Sequence, residues 1–292
     1  MSDLLVTEDW RDYELIDSGE GVKLERWGQY LTVRPEPRAI WRKTTPVLWK
    51  EADAIFMQKE DEGEWQYKEH PPEDWQIGYN GLRFKLRPTN FRHVGIFPEQ
   101  AINWKWIAKQ ITDKNEGADN RNIKILNLFA YTGGATMAAA SAGAHVTHVD
   151  ASRPAMMWAS ENAKLTHIPT DGIRWIQDDA LKFVLRENRR GVKYDGIIMD
   201  PPRFGRGARG EIWKLADNLP ELVSACKQIL SSQPIFFLIN AYTADLSHLA
   251  IKYLLKDVMG SLNGKIESGE VGMVETESKK ILPAGIVARW ER

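Results

Sequence analysis

Cysteine is nearly absent from this chain: Cys226 is the one such residue in 292, so no internal disulfide can form. The six histidines never fall into a Cys/His ligand pattern, which points away from a metal site. A charge excess is missing as well. Lys and Arg total 39 against 40 Asp and Glu, a formal net charge of -1, so no global field draws the chain onto nucleic acid or membrane, and any basic surface must be local. No apolar run is long enough to cross a bilayer. The start, with Asp3, Glu8 and Asp9, is acidic and carries no basic segment followed by an apolar one, so neither export nor import is signalled and a reducing cytoplasm is expected. What is present in quantity is apolar side chain: 43% of residues are hydrophobic, enough to fill the core of one large domain and a small one.

The chain divides into two regions. Up to residue 87 the pattern is short, mixed and turn-rich. Residues 22–33 alternate apolar and polar until Pro35 and Pro37 break the run, which predicts a small β-rich domain over 1–87. The charge run 58–64 reads as a solvated hairpin or loop. Residues 99–111 have a helical period, and 112–122 read as a loop. From there strands (124–129, 145–149, 173–177, 194–199, 234–241) alternate with helices (133–142, 153–166, 179–189, 216–230, 245–258). Such alternation, with apolar strands, predicts an α/β domain over 88–292: a doubly wound parallel sheet with helices on both faces. Residues 265–276 and 285–292 lack an intervening helix and suit a C-terminal antiparallel hairpin at the sheet edge. Ligands of such sheets sit at the carboxyl ends of the strands, near the switch point.

Four strand ends then stand out. The first strand runs into Asn127, Phe129, Ala130, Tyr131, Thr132, Gly133 and Gly134, followed by small residues to Gly143. Glycines there let the backbone approach a ligand and small residues let the next helix pack closely, although an ordinary tight turn would look the same. The second strand ends in Val149-Asp150, roughly 20 residues on, where an acid can accept from a ribose diol or cap the helix that starts near Ser152. The third leads to Asp178-Asp179-Ala180, a carboxylate for an adenine amine or again a helix cap. The fourth ends in Asp200-Pro201-Pro202-Arg203-Phe204-Gly205. Two prolines after a core strand cannot extend a sheet, hold the backbone rigid and keep Asp200 extended, so the Asp200 carboxylate and the Pro201 carbonyl are expected to position an acceptor. A plain strand terminator would carry the same residues.

Taken together, 127–134, Val149-Asp150, Asp178-Asp179 and Asp200-Pro-Pro-Arg-Phe resemble the methyltransferase domain of the bacterial large-subunit (23S) ribosomal RNA methyltransferases that pair it with a small β-rich domain. Residues 92–100 match, more loosely, the lead-in those enzymes place before the first strand. The resemblance covers about 90–243 and implies a Rossmann-like class I methyltransferase sheet with S-adenosyl-L-methionine as cofactor. It implies that 127–134 hold the methionine part, that Asp150 with Ala151 meets the ribose and Asp179, beside Asp178 and Ala180, the adenine. Phe97 and Gln100 would form a lid, and Asp200 would border both cofactor and acceptor. Tyr131, where methyltransferases generally have glycine, is shared with this subfamily. The extra N-terminal RNA-binding module of some relatives is not seen.

Methylation of carbon-5 of a pyrimidine needs a cysteine that adds to the ring, placed in related enzymes just after the fifth strand. Here that place reads Asn240-Ala241-Tyr242, and Cys226 sits in a pattern that marks a buried helix face. A base nitrogen is therefore the expected acceptor, in RNA and ribosomal RNA first. Arg203, Phe204, Arg206 and Arg209, with flexible glycines between them, could hold phosphates and stack on an extruded base, or form a plain solvated loop. Asn240 and Tyr242 are placed on the same substrate side. Arg83, Lys85, Arg87 and Arg92 offer a second basic strip or simply the wet face of a strand. A nicotinamide-dependent oxidoreductase would require a G-x-G-x-x-G fingerprint and gives Asp200-Pro-Pro no role. A small-molecule or protein acceptor is compatible with the neutral charge. A non-catalytic RNA-binding module is opposed by intact Asp150, Asp179 and Asp200.

Overall fold

The computed structural model describes residues 4–59, 62–116, 122–169, 171–206, 212–242 and 246–292. Contacts divide the chain into two compact units, one of Met1–Leu5, Ile102–Val271 and Ala284–Arg292 and another of Val6–Ala101 and Gly272–Pro283.

The second of these is β-rich. Its five-stranded sheet runs in the order β2 (Tyr13–Gly19), β3 (Val22–Trp27), β4 (Tyr30–Pro35), β5 (Ala54–Lys59), β6 (Glu62–Tyr67), following a short β1 (Leu4–Thr7) in the chain. A separate hairpin joins β7 (Gln76–Tyr79) to β8 (Leu82–Lys85). Its two-residue turn is Asn80-Gly81, both at positive φ (+45° and +84°), the sequence that such a turn favours. Leu82 and Phe84 point inward and Arg83 outward, so β8 has the wet face that alternation describes. By contacts, residues 88–101 group with the β-rich unit. The physical reason is that 88–100 is tied to earlier residues: Arg87 N donates to Val94 O (3.0 Å), Gly63 N of β6 to Asn90 O (3.0 Å) and Trp10 Nε1 to Pro98 O (3.0 Å), while Val94 and Ile96 are buried.

The other unit alternates as its sequence suggests. Helix α1 (Ala101–Asn115) precedes β9 (Lys124–Leu128), α2 (Gly134–Ser141), β10 (His145–Asp150), α3 (Arg153–Leu165), β11 (Ile173–Gln177), α4 (Ala180–Arg189) and β12 (Gly196–Met199). Then come a small ribbon of β13 (Phe204–Arg206) and β14 (Ile212–Lys214), α5 (Leu215–Gln228), β15 (Phe236–Ala241), α6 (His248–Met259), and the pair β16 (Lys265–Val274) and β17 (Ile281–Glu291). The sheet order is β1-β16-β17-β15-β12-β9-β10-β11. Strands β11, β10, β9, β12 and β15 run parallel to one another, and β17 is antiparallel to β15. Alternate residues of each central strand go to opposite faces: Leu126, Ile197, Met199 and Phe237 meet Phe183, Leu222 and Leu255 from α4, α5 and α6, while Ile125, Ile198, Phe236 and Leu238 meet Ile107, Ile111 and Ala139 from α1 and α2. That is a doubly wound sheet. The chain moves outward through β10 and β11, then returns to β12 on the other side of β9, which makes β9/β12 the switch point. Residue 245, expected to open a helix, lies outside the described residues; α6 begins at His248 behind a Ser247 cap. Among the described residues no helix is long and apolar enough to cross a membrane.

Candidate active site

Register sets the site. Leu128 of β9 is level with Val149 of β10 and Met199 of β12, so the next residues, Phe129, Asp150 and Asp200, emerge side by side at the carboxyl ends of three adjacent strands. Asp178 follows Gln177, the partner of Asp150. These are the strand-end acids singled out from sequence.

The loop after β9 is bent sharply. Phe129, Tyr131 and Gly133 all have positive φ (+54°, +48° and +88°), a conformation that costs non-glycine residues about 1–3 kcal/mol each and persists only where surroundings impose it. Here they do. Ala130 N donates to Val149 O (3.1 Å), Tyr131 N to Asp150 Oδ2 (2.8 Å), Gly133 N to Ala130 O (3.0 Å), and buried Asn162 of α3 donates to Thr132 O (3.0 Å). Gly133 supplies a left-handed cap to α2. Gly134 has a different cause: a Cβ there would lie 2.4 Å from the Trp104 ring. Its glycine is explained by packing of α1 rather than by approach of a ligand.

Asp150 spends one oxygen on each side of the bend, Oδ2 on Tyr131 N and Oδ1 on Ser152 N (2.8 Å). Burial nonetheless holds its carboxyl above the usual range, because the two amides offset only part of the desolvation. Ser152 accepts from Ala155 N (3.3 Å) and so caps α3, leaving Asp150 free of that role. At the third strand end the order is reversed. Asp179 caps α4 by accepting from Lys182 N (2.9 Å), and Asp178 pairs with Arg186 and accepts from Asp179 N (2.9 Å). Ala180 is buried in the first turn, and Ala151 O accepts from Gln177 Nε2 (3.4 Å).

Below the loop, Asn127 Nδ2 donates to Thr136 Oγ1 (2.9 Å), which contacts His148 Nδ1 (2.9 Å). The hydroxyl can both donate and accept, so either ring tautomer serves that contact, and His148 Nε2 has no hydrogen-bond partner among the described residues. Burial lowers the His148 pKa to about 3 and keeps it neutral. His148 was not singled out from sequence; its signal is a histidine beside Val146 and Val149 within a buried strand.

Asp200 is half-buried at the switch point. Its Oδ1 accepts from Nδ2 of Asn240 at 2.7 Å, and Oδ2 has no partner among the described residues. Burial raises its carboxyl to about 6 and the Asn240 bond counteracts only part of that. Asn240, expected on the substrate side, is itself buried and gives its amide to Asp200. Pro201 is buried, Pro202 is exposed, and the Pro202 carbonyl accepts from Trp213 Nε1 (2.6 Å). Trp213, also missed from sequence, stands 5.0 Å from the Phe129 ring. It is carried there by the β13–β14 ribbon, in which Gly205 pairs with Trp213 and Phe204 with Lys214. Of the loop expected over 203–211, residues 204–206 form a strand of this ribbon and 207–211 lie outside the described residues; Arg203 is exposed and Phe204 is 53% exposed. Arg206 ends β13, and Arg209 lies outside the described residues. Tyr242 is half-buried directly after β15. Phe97 and Gln100 belong to the β-rich unit, where Phe97 precedes a short 3-10 turn, Pro98–Gln100, and its ring lies 5.0 Å from that of His93.

With this geometry in place, comparison with known proteins gives a consistent result. Residues 52–234 match the family model described as S-adenosylmethionine-dependent methyltransferase. A crystal structure of a SAM-dependent methyltransferase from Agrobacterium tumefaciens is similar over 99% of this chain and 93% of that one, at 42% identity and a TM-score of 0.93. Ribosomal RNA large subunit methyltransferase K/L of Pseudoalteromonas atlantica is 28% identical over 261 residues, 81% of this chain and 35% of that protein. Ribosomal RNA large subunit methyltransferase I of Aliivibrio fischeri is 29% identical over 160 residues, 54% of this chain and 35% of that protein. The chain thus spans about a third of the length of these two curated relatives.

Proposed function

We propose, from the premise that this chain belongs to the S-adenosylmethionine-dependent methyltransferase family, that it methylates a base nitrogen of RNA in the cytoplasm, with ribosomal RNA as the first candidate. The observation that carries this reading is Asp200: a carboxyl at the switch point, held near pH 6 by burial, with one oxygen bound by a neutral amide and the other unpartnered among the described residues. S-adenosylmethionine supplies an electrophilic methyl group when bound; what the protein supplies is position and a place for a proton.

The residues present fit that cofactor. The bend at 129–133 turns its backbone along the carboxyl ends of the strands, and each oxygen of Asp150 retains lone-pair capacity beyond the single amide it accepts, as a ribose diol requires. Asp178 and Asp179 are the acids available beside an adenine amine, both already engaged within the protein. On the acceptor side, Oδ2 of Asp200 can take the N–H of a base, and a carboxyl poised near 6 can carry off its proton at neutral pH. Phe204 and Arg203, exposed at the base of the ribbon, are the candidates for stacking on the base and holding its phosphates. Pyrimidine carbon-5 is disfavoured because Cys226 is buried in α5, where burial pushes its thiol well above the usual range. The two relatives named for ribosomal RNA favour that substrate over other RNA.

The test is mass mapping of modified nucleosides in ribosomal and transfer RNA from cells with and without the gene, followed by restoration with the purified chain. The expected result is loss and recovery of one nitrogen-methylated base. Loss of a 5-methylpyrimidine would overturn the nitrogen assignment, and an unchanged set of RNA modifications would overturn the RNA assignment.

A further inference from the structure

Asn240 does not hold Asp200 unaided. Its Oδ1 faces Nδ2 of Asn103 on α1 at 3.4 Å, and Asn103 Oδ1 in turn accepts two bonds from the guanidinium of Arg289 on β17, from Nε at 3.2 Å and from Nη2. Asn103 and Asn240 are buried, Arg289 is 4% exposed, and its guanidinium lies over the Trp106 ring, 5.1 Å from the centroid. Among the described residues Arg289 has no ion pair; Glu267 and Glu291 act on it only at longer range. A buried guanidinium with no carboxylate against it is costly, and an apolar side chain would serve packing better. Its presence calls for another reason.

Direction supplies one. A side-chain amide can be turned end for end with almost no change of shape, so an asparagine beside a carboxylate can present either its donor or its acceptor. A guanidinium has only donors. Arg289 therefore fixes Oδ1 of Asn103 towards itself, which leaves Asn103 Nδ2 to donate onward and turns Oδ1 of Asn240 to meet it. Asn240 is then left with Nδ2 facing Asp200. We propose that Arg289 and Asn103 are positioning residues that make Asn240 a permanent donor, and so assign Oδ1 of Asp200 to the scaffold and Oδ2 to the methyl acceptor. The proposal rests on the reading of Asp200 as the acceptor-side group. Burial lowers the Arg289 pKa to about 10, which leaves it charged at working pH, so the direction of the relay does not reverse. Asp200 itself is raised by burial and lowered by the Asn240 bond.

The test is the titration of the Asp200 carboxyl in the full chain, followed by carbon-13 NMR, beside kinetics on the RNA that bears the wild-type mark. In Asn103→Asp the new carboxylate accepts from both Arg289 and Asn240, so Asn240 must turn its oxygen towards Asp200. The Asp200 titration should rise by about one pH unit or more. The acid limb of kcat should move with it, kcat should fall, and KM and cofactor affinity should hold. Arg289→Gln, which leaves the direction of the relay unfixed, should move both in the same sense but less. A folded variant of either kind with the Asp200 titration unmoved overturns the proposal. A shifted titration in a protein that methylates no RNA would leave the relay standing and defeat the function proposed above. If neither variant folds, the wild-type chain decides: Asn103 side-chain amide signals should follow the Asp200 titration and become flat in Asp200→Asn, and an Asn103 amide blind to that titration overturns the relay.

Discussion

The two units treat a buried carboxylate in opposite ways. In the β-rich unit Glu25 is fully enclosed, yet its oxygens accept from Nε and Nη2 of Arg34 (2.6 and 2.7 Å) and from the hydroxyl of Tyr13 (2.8 Å). Burial works against its charge, but Arg34 and then Lys23 overcome it and hold the carboxyl down at about 2. In the sheet unit Asp200 is half-buried and receives only the neutral amide of Asn240, so desolvation prevails and the carboxyl rises to about 6. Asp150, served by backbone amides alone, is likewise raised. A carboxylate matched by a guanidinium is locked into one protonation state and can only hold a structure. One left short of compensation keeps a proton equilibrium near working pH, which is the property a reacting site needs and a scaffold avoids.

The sharpest way to break this contrast is to remove the undercompensated acid. Asp200→Ala should lower turnover by about 10²–10⁴-fold with little change in cofactor affinity, as expected for a group that acts mainly in the transition state. Single-turnover kinetics with calorimetry on the same variant separates the two quantities; abolished cofactor binding with an intact rate per bound cofactor would make the turn a cofactor clamp. The stability of Asp200→Asn should move the other way. An acid whose folded pKa lies above its unfolded value destabilises the native state when ionised, so the variant should gain about 1–2 kcal/mol above pH 6, and the gain should vanish as pH falls towards 4.

For the compensated acid the sign is reversed. Arg34→Met strands Glu25 as an unpaired buried charge and should cost about 3–5 kcal/mol in denaturant unfolding at neutral pH. Because Glu25 is depressed in the folded state, wild-type stability from this pair is complete above the unfolded value of 4.5 and is lost as pH falls towards 2. Arg34→Met should lack that loss. An unfolding free energy that falls equally in both proteins over this range would show that the pair does not behave as described.

Asp150 lies between these cases, and its removal should show mainly in binding. Asp150→Ala deletes the anchor of Tyr131 and, with Asp150 at the ribose as proposed, a charge-assisted bond to the cofactor, and should weaken S-adenosylmethionine or its demethylated product by roughly 1.5–3 kcal/mol in calorimetry. Unchanged affinity would remove Asp150 from the cofactor site.

The acids themselves were legible in the sequence because each follows a strand in an alternating strand-helix order, most plainly the apolar β12 before Asp200, and β9 to β12 and β15 lie within a few residues of the expected ranges. What surrounds them was not. Arg289 and Asn103 are 186 positions apart, and neither shows that they meet until β17 and α1 are laid against the same strands. Trp213 reaches Phe129 only through pairing in a ribbon that reads as loop. The cause of Gly134 stands thirty residues earlier, at Trp104. The grouping of 88–101 with the β-rich unit rests on the same kind of contact, such as Thr7 to Glu99, which cannot be read locally. Chemistry borne by one residue type at a strand end is visible in sequence, whereas chemistry borne by the orientation of a neighbour is not.

The smallest effect comes from the residue whose chemistry would have reversed the assignment. Cys226 lies on the buried face of α5 among Leu222, Val223 and Ile229, and burial keeps its thiol protonated. It therefore follows the logic of the scaffold although it shares a unit with Asp200. A core cysteine contributes volume, so Cys226→Ala removes one sulfur from a packed layer and should cost about 1–2 kcal/mol, seen as a modest fall in the unfolding midpoint. Turnover per folded molecule should stay near wild type, because no step of base-nitrogen methylation needs a thiolate. A covalent adduct would require the thiol to leave the core and ionise, and a fluorinated pyrimidine substrate would trap it. A trapped adduct, or lost turnover in a folded Cys226→Ala protein, would move the nucleophile from the substrate to the enzyme and replace the base nitrogen with a ring carbon as the methyl acceptor.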